Sequence, residues 1–161
     1  MTKIIVTVLA VLLTFFPNSS FLLSNYQNFT FLGKDTIEDI IVEAINNNDS
    51  ESIEELLSQH TKENGENLNQ KIKELIAAID GKIIEYYDSG NGGDGEVSDG
   101  KAYVKDTLWS VYLKTDTGNE YQLYISWVIA NTANPNKVGM KTMGLCDMNH
   151  NSLVHLYTPN N

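Results

Sequence analysis

Apolar residues fall on alternate positions through residues 121–130, YQLYISWVIA. Tyr121, Leu123, Ile125, Trp127 and Ile129 take one parity, and Gln122, Tyr124 and Ser126 the other. A strand turns successive side chains to opposite faces, so the run predicts one apolar sheet face, with Trp127 in the core, and one mixed face. The apolar face needs a cover, and three upstream stretches have helical periodicity. Residues 35–46 place Ile37, Ile40, Ile41, Ala44 and Ile45 on one stripe, with Thr36 and Asp39 spaced as a capping box. The polar run 46–49 ends that helix and caps the next. Residues 50–60 predict a second helix on Ile53, Leu56 and Leu57. Glu51, Glu54 and Glu55 stand near its start and His60 near its end, where the helix dipole favours each charge. Residues 61–67 read as a polar loop. A third helix over 68–80 aligns Leu68, Ile72, Leu75, Ile76 and Ile79, with Gly81 as its left-handed cap.

The period then changes from helical to alternating. Residues 82–88, KIIEYYD, predict a first strand, and 89–100, SGNGGDGEVSDG, a glycine-rich loop without fixed structure that tolerates shortening. A long strand over 101–114 carries Trp109, Val111 and Leu113 on one face. Residues 115–119, TDTGN, form a hairpin turn into the strand at 121–130. After a loop at 131–136, residues 137–148 predict a fourth strand, where Gly139 and Gly144 suggest a bulge. In the polar tail, 153–157 adds a short edge strand. Three helices followed by an antiparallel meander of four to five strands is an α+β order, with the helices laid across a curved sheet.

The N-terminus belongs to a different class of segment. Lys3 precedes the apolar run 4–16, IIVTVLAVLLTFF, and Pro17-Asn18-Ser19-Ser20 breaks it. A basic tip, an apolar stretch and small residues make a secretory signal, with cleavage after Ser20 or Ser24. The run is too short to cross a hydrocarbon core of ~30 Å, which takes about 20 helical residues. An uncleaved signal anchor is the alternative, and it is the one membrane contact expected. The chain thus divides into a signal peptide or anchor at 1–24, a linker at 25–34, a domain at 35–158 and a tail at 159–161. The formal charge of the whole chain is −10, and Lys3 is the one charge in residues 1–24. With no arginine anywhere, a surface this acidic repels phosphate backbones, so nucleic acid is not an expected partner. The single cysteine, Cys146, excludes an intramolecular disulfide and reads as a packed strand residue.

Three stretches carry a family resemblance: EAINNNDSESIEELLS at 43–58, IAAIDGKIIEYYDSG at 76–90 and NPNKVGM at 134–140. Residues 35–148 resemble small secreted or lipid-anchored bacterial proteins of unknown function with the nuclear transport factor 2-like (SnoaL-like) fold. That resemblance implies a cystatin-like cone and an extracytoplasmic address, and it offers no catalytic residue. The anchoring cysteine of such proteins is absent; Leu22-Leu23-Ser24-Asn25 stands in its place.

The candidate chemistry is sparse. Asp88, Asp94, Glu96 and Asp99 in the glycine-rich stretch are calcium-type ligands, but their spacing matches no calcium loop. The same glycines make no phosphate cradle, because no Lys-Ser/Thr pair or helix follows them. His150 and His155 lie five apart and point to opposite faces of an extended chain, so with Asp147 they make no metal site. Neither a metal nor another cofactor is expected. Asp106 with Tyr103, Tyr112 and Tyr124 invites comparison with the Asp base and Tyr donor of cone isomerases, yet fold alone implies no such chemistry. The aromatic residues Trp109, Tyr112, Tyr124 and Trp127 are the candidate ligand-binding set. The expected function is an exported, non-enzymatic binding domain for a protein or small molecule. Its alternatives are a small-molecule isomerase or cyclase and an immunity-type protein that neutralises a basic toxin.

Overall fold

The computed structural model describes residues 36–98 and 103–156; the expected signal segment, linker and tail lie outside the described residues. Among the described residues are four α-helices and one five-stranded antiparallel sheet whose strands follow chain order, β1 to β5. The class is α+β.

Helix α1 spans Ile37–Asn46 and starts with the expected box. The Asp39 amide donates to Thr36 Oγ1 at 3.2 Å, and the Thr36 amide to the Asp39 carboxylate at 2.7 Å. Its buried stripe is Ile41, Val42, Ala44 and Ile45, with Ile37 at the margin; Val42 rather than Ile40 faces the core. At its far end, the Asn46 side chain grips Ile83 in both directions, donating to its carbonyl at 3.0 Å and accepting from its amide at 2.8 Å. This amide imitates a strand neighbour and fixes where the sheet begins.

The second predicted helix is two helices. Helix α2, Ser50–Leu56, stops because Leu57 turns extended (φ −64°, ψ 141°) and bridges Met140 in parallel. The Ser58 amide donates to the Met140 carbonyl at 2.9 Å. Ser58 then caps α3, Gln59–Asn64, by accepting the Thr61 amide at 3.1 Å. Buried Thr61 lies in this helix, not in a loop, and its hydroxyl reaches the carbonyls of Met140 (3.4 Å) and Lys141 (3.3 Å). His60 therefore stands in the first turn of a helix instead of the last, where the dipole no longer favours its cation. Close approach requires Gly139 here: at φ +123° a Cβ would come within 3.1 Å of the Ser58 backbone.

Helix α4, Leu68–Ala78, buries Leu68, Ile72, Leu75 and Ile76 of its predicted stripe, and Ile79 is buried just past its end. Ile79 caps it in an extended conformation, so Gly81, at φ +91°, belongs to the following turn. There a Cβ would lie 2.5 Å from Asp116 Oδ1, the atom that accepts the Lys82 amide at 2.8 Å. Asp80 and Asn119 join the same corner, side chain to side chain, at 3.0 Å.

Strand β1 runs Ile83–Ser98, 16 residues, through the stretch expected to be a loop. It pairs with β2, Tyr103–Thr115, from Ile83↔Thr115 to Ser98↔Tyr103, with register shifts at three points. β2 pairs along its whole length and leaves only Ile84, Ser89 and Gly92 of β1 without a partner, so ladder bonds hold a glycine-rich segment that has little strand preference of its own. The TDTGN turn leads to β3, Glu120–Asn131, and Gly118 takes φ +86° in it as expected. A 3-10 turn at Pro135–Lys137 precedes β4, Gly139–Asp147, and β5 is Ser152–His155. The bulge in β4 falls at Lys141, between the two glycines, because Ser126 pairs with Thr142 and Trp127 with Met140.

Trp109, Val111, Leu113, Leu123, Ile125, Met143 and Leu145 form the sheet side of one core against the helices. Alternation in β3 holds as far as Ser126. Ile129 is then skipped in the pairing with β2, and Val128 and Ile129 are both buried. Trp127 is consequently half-buried, packed against the core instead of within it.

Candidate functional site

The four aromatic candidates do not form one site, because the sheet separates them. Trp109, 2% exposed, and Trp127 are on the helix side. Tyr112 and Tyr124 have the opposite parity and stand half-buried on the outer face.

Register places further side chains beside them. Tyr87 pairs with Tyr112 and Tyr112 with Gln122; one step along, Ser110 pairs with Tyr124 and Tyr124 with Gly144. The rings of Tyr87 and Tyr112 stack, with centroids 4.6 Å apart and planes inclined by 24°. Gln122 bridges the two rows, its Nε2 donating to Ser89 Oγ at 3.3 Å and its Oε1 accepting from the Tyr124 hydroxyl at 2.7 Å. The Ser89 and Ser110 hydroxyls meet at 2.9 Å. His150, at φ +62° in the β4–β5 turn, brings Nδ1 to 3.2 Å from the Tyr124 hydroxyl. A continuous polar chain therefore crosses from β1 to the β4–β5 turn.

Solvent loss around its ring, and then the Glu120 carboxylate, push the Tyr112 phenol up to about 12. It remains a hydrogen-bond donor at any physiological pH. Burial first and Asp147 second raise the Cys146 thiol, which makes it a weak nucleophile. Asp147 is occupied locally: its carboxylate accepts the Asn151 side chain at 2.8 Å and the amides of Asn149 and Asn151 at 2.9 Å. These bonds, that of the Asn151 side chain foremost, lower its pKa. His155 pairs with Gly144 on the next strand. Among the described residues no three His, Cys, Asp or Glu side chains are grouped to hold a metal. Asp106 is half-buried opposite Val128, on the same parity as Tyr112 but further along β2. Asp99 of the acidic stretch lies outside the described residues.

The polar chain up to Tyr124 and the strands that carry it, β1 to β4, fall inside one family match, to a domain of unknown function, DUF5104, over residues 40–148. The chain belongs to that family. Its match takes in α1 from Ile40 to the end of β4, so all of the outer-face residues named above except His150 are DUF5104 positions. No curated protein matches the chain.

Sequence reasoning missed Tyr87, Ser89, Ser110 and His150 as members of this group. The polar parity of 121–130 already held Gln122 and Tyr124. Tyr87 needed the register shift between Ile83 and Glu85, which decides the face that each residue of KIIEYYD takes.

Proposed function

We propose that this DUF5104 domain is an exported, non-enzymatic interaction module that binds through the outer face of its sheet. The observation that carries the reading is the contrast between the two faces. Helices α1, α2 and α4 fill the inner one, where Ile53, Ile72, Leu113 and Ile125 have no exposure. The outer one presents Tyr87 and Leu108, 52% and 40% exposed, beside Tyr112 and Tyr124. Exposed aromatic rings held in place by neighbours are the usual anchors of recognition surfaces. The module reading gains over the isomerase reading because no buried Asp, Glu or His occurs among the residues whose side chains are described. Acid–base catalysis in a cone needs such a group, with its pKa set by the surroundings. The nuclear transport factor 2-like cone remains our proposal for the finer fold, supported by helices laid on one face of an antiparallel meander. Export is supported by Lys3, the apolar run at 4–16 and the break after it.

The test is capture from cell-surface extracts with the mature domain and with Tyr112→Lys, which removes the ring and places a positive charge on the outer face without touching the core. The reading expects a component retained by the parent and lost by the variant, at unchanged circular dichroism. Retention that ignores Tyr112→Lys would overturn it.

A further inference from the structure

The outer face is banded across its strands. One band is charged: Glu85, Lys114 and Glu120 lie in register on β1, β2 and β3, and Lys114 Nζ reaches Glu120 at 4.0 Å. Glu120 thus answers Lys114, and Glu85 leaves the band net negative. The next band is the stacked pair Tyr87 and Tyr112 with Gln122 beside it. One face of the Tyr87 ring meets Tyr112, and half of the residue remains open to solvent. The Glu85 and Glu120 carboxylates in the adjoining band outnumber the Lys114 ammonium, so the charge beside this pair is net negative.

Aromatic faces are themselves electron-rich, so ring and rim attract the same ligand charge. An anionic polymer is repelled by the rim and by a chain of charge −10. A neutral one gains nothing from the carboxylates. A planar cation gains twice, stacking on a ring while it pairs with a carboxylate, and guanidinium does this better than ammonium. Gln122 adds a second kind of recognition. One amide N–H and one carbonyl lone pair fix its orientation, and the other of each is left for a peptide backbone.

Resting on the reading of this face as the binding surface, we propose that its partner is a basic polypeptide. An arginine-rich segment lies across β1–β3, with guanidinium groups over Tyr87 and Tyr112 and paired to Glu85 and Glu120.

The probe is an oligo-arginine peptide titrated into the mature domain and followed by amide chemical shifts. Shifts are expected at 85–89, 110–112 and 120–124, with affinity falling as salt rises. Tyr112→Leu and Tyr87→Leu should each weaken binding roughly two- to fivefold, the size of one exposed cation–π contact. Glu120→Gln should weaken it as well, and Glu38→Gln in α1 should not. Tyr87, on the edge strand, serves alone if Tyr112→Leu disturbs the sheet. Shifts spread over the helices, or Tyr87→Leu and Glu120→Gln binding like the parent, would overturn the proposal, since bulk charge would then explain the association. If the peptide fails while a surface component is still lost on Tyr112→Lys, the face binds and only the basic class is wrong. If both fail, the binding reading falls with it.

Discussion

Trp109 and Trp127 share a sheet face and hold up different amounts of structure. Trp109 is enclosed by the core, whereas Trp127 sits beyond the register shift that ends the alternation of β3. Trp109→Ala is therefore expected to lower stability by about 3–5 kcal/mol, the range for emptying a buried aromatic site. Trp127→Ala should cost less, and chemical-denaturation midpoints will rank the two; the reverse order would mean the shift is misplaced. Asp39 works at the start of α1. Burial alone would raise its carboxyl, but hydrogen bonds from the Tyr86 phenol, at 2.5 Å, and from Thr36 outweigh that and hold it below the ordinary range. A depressed carboxyl stabilises the fold above its unfolded pKa, and that contribution is lost as pH falls through the folded one. Asp39→Asn should then melt below the parent at neutral pH and converge with it in acid. A gap that persists at low pH would assign the loss to something other than the charge.

At the scale of elements, legibility follows how local the cause is. Capping boxes, stripes and the TDTGN turn are local, and α1, α4 and the β2–β3 hairpin stand where the sequence puts them. The break after Leu56 has a distant cause, Met140, and Ser58, the cap of α3, is its local sign. The glycine run was misjudged because strand preference was asked of the wrong strand. A first strand at 82–88 could have matched only half of the one predicted at 101–114, and that mismatch was the available sign that β1 continues to Ser98. The candidate site was half legible for the same reason: parity gave Tyr112 and Tyr124, while Tyr87 required pairing. Two outcomes test β1. Amides of 93–98 bonded to β2 should exchange slowly with deuterium, and deleting 90–95 should lower the melting temperature. Rapid exchange and a tolerated deletion would restore the loop.

For the whole molecule, the proposal of export rests on Lys3 and the apolar run at 4–16. Fractionation of the source cells should recover the domain outside the cytoplasmic membrane, free or tethered; full-length chain in the soluble cytosol would refute export. No helix among the described residues is long and apolar enough to cross a membrane. Few residues separate successive strands of the meander, and its pairings can form between near neighbours in sequence. The strap at Ser58 and Thr61 is different, because its contact with Met140 spans 79 positions from Thr61. Closing so long a loop carries an entropic penalty that favours the short hairpins first, which places the strap late in time. Thr61→Val should accordingly quicken unfolding and leave the refolding rate almost unchanged, as stopped-flow traces would record. The strap would then govern how long the domain, once folded, stays folded, and a variant that refolds slowly would instead put it in the folding nucleus.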